Sequence, residues 1–239
     1  MATTPRYKRV LVKLSGESFC RGGAGIDPEA MATLVDEIVP LTKMGVQVAL
    51  VVGGGNFVRG RDLASNRLIQ RPTADYMGML ATVLNALALR DALESRGTPA
   101  RAMSAIAMTS VCESFVRERA ICHLTEGRVV LLAAGTGSPF FTTDTCASLR
   151  AIELEADVLL KATKVDGVFD SDPVTNPSAK RYHRLNYQQV LSERLGVMDL
   201  TAVCMCMEHR LPVVVFQLAK QGNLTRIVRG EDIGTLICE

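Results

Sequence analysis

Short apolar runs alternate with longer stretches of helical period along this chain, and the alternation predicts strands and helices taken in turn. The first run, Arg9–Leu14 (RVLVKL), reads as a strand that leaves Lys13 at its carboxyl end, just before Ser15-Gly16-Glu17-Ser18. After a glycine-rich link at 21–25, Asp27 reads as an N-cap and Pro28 as the first helical residue, with Leu34, Ile38 and Leu41 on one face and Gly45 closing the helix. A second buried run at 46–52 (VQVALVV) empties into Gly53-Gly54-Gly55-Asn56, with Arg59 shortly after. Residues 73–96 carry the longest apolar periodicity, through Met77, Leu80, Ala81, Leu84, Leu87 and Ala88, and Gly97 with Pro99 stops it. A strand at 101–106, a helix at 113–124 and a strand at 129–132 follow. Then come a helix at 145–155, a strand at 156–160 and a turn-laden excursion at 165–177 (VDGVFDSDPVTNP). A helical pattern resumes at Tyr187, Asp199 starts a helix through Glu208, and 212–216 is a strand. Asn223 opens a short helix stopped by Gly230, and Thr235–Cys238 closes the pattern as a strand.

This order predicts an α/β fold with a mostly parallel central sheet and helices on both faces, where ligands sit at the carboxyl ends of the strands. Four loops with candidate chemistry fall at that edge: 13–16, 53–59, 135–144 and 161–172. The third is the most developed. In VVLLAAGTGSPFFTTD the apolar run opens into Gly135 and Gly137, and Thr142, Thr143 and Asp144 stand just before the helical positions Cys146, Leu149 and Ile152. Backbone N–H groups and hydroxyls there suit a phosphate, and the bland alternative is a strand-to-helix loop with Asp144 as its N-cap. Lys13 and Lys161 each read as a cation at a strand's carboxyl end, and alone each reads as a solvated lysine. Asp75, in the first turn of the long helix, is either a carboxylate favoured by the helix dipole or one facing the glycine loops. Taken together, four glycine-bearing loops with two lysines, an arginine and aspartates favour a polyphosphate site.

Composition narrows the classes. With 239 residues, 48% hydrophobic and a net charge of +2, the chain can bury one large core, and no charge excess calls for nucleic acid or an acidic membrane surface. No repeat, low-complexity tract or composition break appears, so a single domain over 1–239 is expected. No apolar run reaches membrane-span length and the first residues lead straight into a strand, which predicts a cytoplasmic protein. Seven cysteines lack paired metal spacing, and His123, His183 and His209 lie far apart, so reduced thiols and no His/Cys metal site are expected. Cys204 and Cys206 should point to different faces of their helix.

Neither a P-loop nor a G-x-G-x-x-G after the first strand is present. Instead KLSGE at Lys13, VVGGGN at Val51, DYMGMLATVLNALALRDAL at Asp75, AGTGSPFFTTD at Ala134 and LKATKVDGVFDSDP at Leu160 resemble the bacterial uridylate kinases of the amino acid kinase fold family. The resemblance runs in register over about residues 7–239. It implies a three-layer α/β/α sandwich, transfer of the γ-phosphoryl group of ATP to UMP with Mg²⁺ carried on the ATP, a place in CTP and UTP biosynthesis, and a homohexamer. It places the ATP site on Lys13, Leu14, Ser15, Gly16, Gly55, Arg59, Thr163, Phe169 and Asp172. The UMP site falls on Gly54, Asp75, Thr136, Gly137, Ser138, Pro139, Phe140, Phe141, Thr142 and Thr143, with Asp75 accepting from the ribose hydroxyls. Ser138 stands where many relatives have Asn, and the 21–25 link is shorter than in some.

A nucleoside monophosphate is already an anionic nucleophile, so the chemistry implied asks for positioning and charge neutralisation and not for a base. Lys13 and Arg59 are assigned to the developing charge, Lys161 is a second cation, and Asp144 and Asp199 are expected to hold Lys13, Asp199 being alternatively only an N-cap. The resemblance also implies activation by GTP between subunits at Asp91, Arg101 and Arg128, and inhibition by UTP; the alternative there is ordinary surface ion pairs, since Arg90 and Glu94 are charged too. Two rival functions remain. One is a sibling kinase acting on an amino acid or carbamoyl group, and the other is a non-catalytic nucleotide-binding or storage protein of the same fold.

Overall fold

A computed structural model describes residues 4–58 and 68–239. Its frame is a nine-stranded sheet of β1 (Arg9–Leu14), β2 (Gln47–Val52), β3 (Ala100–Ser104), β4 (Glu113–Ser114), β5 (Val129–Ala133), β6 (Val158–Thr163), β7 (Arg184–Asn186), β8 (Val213–Gln217) and β9 (Thr235–Cys238). The strand order is β4-β3-β5-β2-β1-β6-β8-β9-β7, and every pairing is parallel except β8 with β9. The α/β class with a mostly parallel sheet is as the pattern predicts. Central strands such as β5 are buried at every position, as a parallel sheet covered on both faces requires.

The helices divide between the faces. Val10, Val12 and Leu14 of β1, with Val129, Leu131 and Val158, pack toward α1 (Pro28–Lys43), α2 (Arg71–Ser95) and α7 (Asn223–Val228). Leu11, Val130 and Leu159, on the opposite side of the pleat, pack toward α3 (Arg117–Thr125), α4 (Thr143–Glu153), α5 (Tyr187–Ser192) and α6 (Leu200–Glu208). Because side chains alternate, Lys13 and Lys161 share the face of Leu11 and Leu159, the one on which α4 and α6 lie. Among the described residues no helix is long and apolar enough to cross a membrane.

Four local expectations are corrected. The helix expected at 113–124 starts only at Arg117: Phe115 N donates to Ser104 O at 2.8 Å, which keeps Glu113 and Ser114 extended beside β3. The strand expected at 156–160 is β6, displaced toward Thr163 by its register with β8, so Lys161 lies inside the strand and not beyond its end. The N-cap of α4 is Thr142, whose hydroxyl accepts from the Asp144 and Thr145 amides, and not Asp144. Finally, the excursion after β6 ends in β7, which the periodicity did not suggest.

Candidate functional site

Strand register builds the charged centre. Lys13 and Lys161 are direct partners across β1 and β6, and both extend toward the first turn of α4. There the Asp144 carboxylate lies between them, with Oδ1 3.1 Å from Lys13 Nζ and Oδ2 2.7 Å from Lys161 Nζ. The Lys13 contact is an ion pair off hydrogen-bond alignment, whereas Lys161 donates to both Asp144 and the Val197 carbonyl. Burial by itself raises the Asp144 pKa, but the two ammonium groups outweigh it and hold the carboxyl below its ordinary value. Burial lowers the pKa of Lys161, and Asp144 offsets this only in part.

Asp199 is corrected in its role. It does not pair with Lys13; its carboxylate accepts from Thr145 Oγ1 at 2.9 Å and from the Thr142 hydroxyl, and caps α6 through Ala202 N at 3.1 Å. It therefore ties the start of α6 to the start of α4, and its charge also favours the protonated form of Lys161.

The glycine loop after β2 is pressed against the turn after β1. Gly53 N donates to Leu14 O at 2.8 Å, and a Cβ on Gly16 would strike Gly55 N. A Cβ on Gly54 would meet Gly78 O of α2 at 2.7 Å, so only glycine allows this approach. Asn56 and Asn85 lock the loop to α2 by reciprocal amide bonds of 3.0 and 2.7 Å, and Asn85 donates also to Gly53 O at 2.7 Å. The sequence pattern counted Asn85 merely as a helical position; the signal was a polar residue on the apolar face of a long helix.

A cleft of about 270 Å³ gathers much of the expected acceptor set: Gly54, Asp75, Thr136, Ser138, Phe141, Thr142 and Thr143, together with Gly55. Gly137 packs under the loop against Ala105 O, and Phe140, at φ 73°, turns its ring out to solvent beside Pro139. Arg71, absent from the expected set, lines the same cleft and bonds Asp75. The spacing of four between a cation and a carboxylate was its signal. On the other side of β6 a cavity of about 480 Å³ is lined by Lys161, Thr163, Phe169 and Asp172. Ser15 and Thr163 line a neighbouring hollow, while the Leu14 side chain is fully buried, so only its backbone can face a ligand.

Arg59 lies outside the described residues. Asp91, Arg101 and Arg128 each carry other partners: Asp91 pairs with Arg90 at 2.8 Å, Arg101 with Glu94 at 3.1 Å, and Arg128 with Glu126 and with the His123 ring. The seven cysteines are all free thiols, Cys204 exposed and Cys206 buried as their spacing predicted.

Residues 8–217 match the model of the amino acid kinase family. The chain is 56% identical to a uridylate kinase of Methylococcus capsulatus, over 98% of both chains. It is 51% identical to a uridylate kinase of Dichelobacter nodosus, over 98% of this chain and 97% of the other. Its fold superposes on the crystal structure of a UMP kinase from Bacillus anthracis with a TM-score of 0.94 at 41% identity, covering 97% of this chain and 96% of that one.

Proposed function

We propose, since this chain belongs to the amino acid kinase family and to its uridylate kinase branch, that it is an ATP:UMP phosphotransferase, making UDP and ADP for pyrimidine nucleotide synthesis. The observation that carries this reading is the Lys13–Asp144–Lys161 centre, set in the sheet between a cleft of acceptor size and a donor cavity. A phosphate oxygen of UMP attacks the γ-phosphorus as the bond to the ADP oxygen breaks, and the negative charge that spreads over the transferring group is met by ammonium groups. Asp144 holds both ammonium groups in place, which removes reorganisation from the step.

Gly54, Asp75 and the loop 136–143 hold UMP in this reading, with Asp75 on the ribose. Lys13 to Gly16, Gly55, Thr163, Phe169 and Asp172 hold ATP, joined by Arg59. Mg²⁺ enters this reading as part of the MgATP substrate, since phosphoryl transfer from ATP uses a divalent cation carried on the phosphates. The seven free thiols fit a cytoplasmic setting.

We place the chain in a homohexamer with GTP as activator and UTP as inhibitor. Tyr76, Leu80 and Leu84 support association, because they leave an exposed apolar stripe at i, i+4 spacing along α2. Asp91 continues that face, which sets one member of the GTP trio at the edge of the contact. The activity is tested by following ADP release with UMP, CMP, dUMP and amino acid acceptors: UMP should be strongly preferred, and turnover only with an amino acid or with none of them would refute the reading.

A further inference from the structure

We propose that Arg71 is a positioning residue for acceptor recognition, fixing Asp75 so that its carboxylate accepts from a ribose hydroxyl and so tells a ribonucleotide from a deoxyribonucleotide. The proposal rests on the reading above that a nucleoside monophosphate fills the cleft. Arg71 is the first residue of α2, and its Nε donates to Asp75 Oδ1 at 2.8 Å and Oδ2 at 2.9 Å. Asp75 Oδ2 also accepts from the Phe140 amide at 2.9 Å. One carboxylate thus links the start of α2 to the loop that forms the opposite wall of the cleft.

Helix stability does not account for Arg71. A cation in the first turn opposes the helix dipole, and a cation placed four residues before a carboxylate is the weaker order for such a pair. Exposure also separates this pair from ordinary surface ones: the Asp75 side chain is only 13% exposed while Arg71 is 43% exposed. The carboxylate is the enclosed partner, and the arginine reaches over it from the rim.

Phe140 gives the second line of argument. Its φ of 73° puts a residue with a side chain in the left-handed region, a conformation that needs outside support. The Asp75 bond supplies that support at the backbone, and Arg71 holds Asp75. A carboxylate offers about four lone-pair positions, and these three protein contacts leave it oriented with little capacity left. What remains suits a neutral hydroxyl donor in the cleft, and a fixed acceptor discriminates strongly against an analogue that lacks the hydroxyl.

The test measures kcat and KM for UMP and dUMP at saturating MgATP, in the native chain, Arg71→Ala and Arg71→Lys. The native protein should prefer UMP. In Arg71→Ala, kcat/KM for UMP should fall about tenfold through KM, while that for dUMP falls no more than about twofold and the KM for ATP stays put. Arg71→Lys, which keeps a cation at the site, should recover part of the UMP preference. Equal losses for UMP and dUMP would overturn the proposal, because they would place Arg71 on the shared phosphate or in folding alone. An unchanged preference in Arg71→Ala, or no preference in a native enzyme that turns over both, would overturn it as well. A native chain without UMP-dependent ADP release would instead defeat the functional reading beneath it.

Discussion

Lys13, Asp144 and Lys161 form a charged cluster with side chains 14%, 17% and 11% exposed, whereas Arg101–Glu94, built from the same kinds of group, is 43% and 42% exposed. In the first setting each charge depends on its partners, since a lone ion there would lose hydration without compensation. In the second, water and salt screen both partners and the pair contributes little. Arg71–Asp75 stands between them, one partner enclosed and one at the rim. Burial, and not the inventory of charged residues, therefore ranks what each pair does.

The sharpest way to break this ranking is at the centre. Lys13→Met should lower kcat by about 10²- to 10³-fold while the KM values for ATP and UMP move by less than about threefold, because the cation acts mainly as charge develops. Steady-state kinetics decide it, and near-native turnover would remove Lys13 from the chemistry. Asp144→Asn should follow, removing the carboxylate that pairs with both buried ammonium groups. We expect a loss of about 3 kcal/mol, read as a Tm lowered by roughly 5–10 °C at neutral pH.

That difference should depend on acid. The folded-state pKa of Asp144 lies below its ordinary value, so its contribution is fully present above the unfolded value of about 3.9 and is lost as pH falls through the folded one. Melting curves of the native chain and Asp144→Asn should accordingly converge as pH drops below about 4. A gap that stays constant would mean that the carboxylate charge is not what stabilises.

At the intermediate pair, Asp75→Asn should raise the KM for UMP about tenfold and that for ATP less than about twofold. Equal rises would take Asp75 out of the acceptor site. Arg101→Ala should do least to the protein itself, shifting stability by no more than about 0.5 kcal/mol with basal rate retained. The proposed GTP response is the sensitive readout: initial rates at fixed ATP and UMP should rise with GTP in the native chain and stay flat in the variant. An undiminished response in Arg101→Ala would reject this site.

What was legible in the sequence was local. Apolar runs, glycine turns and helix stops marked β1, α1 and β9 closely, because period and turn chemistry are properties of neighbouring residues. The strand-end lysines and the glycine loops were visible for the same reason. Lys161 was read as lying past its strand because register with β8 is set by segments far apart in the chain. Asp199 was given the wrong partner on similar grounds: its bonds to Thr142 and Thr145 follow from how α6 packs on α4, which no spacing encodes. Arg71 carried only a spacing signal, and its weight comes from the cleft it lines. The assignment of donor and acceptor nucleotides came from the resemblance and not from the pattern.

The position of β1 in the sheet has a consequence for synthesis. Its first neighbour, β2, follows it closely, but its other neighbour is β6, where Val10 meets Val158. On a ribosome adding about 5–20 residues per second, that partner emerges on the order of ten seconds or more after β1. Until then one edge of a strand with four apolar residues in six waits unpaired, exposed to whatever else the nascent chain or its surroundings offer. Lys13 waits with it, and the second lysine of the centre arrives on the same strand that closes this edge, so the pairing of β1 and the pairing of the two cations with Asp144 come together in one late event.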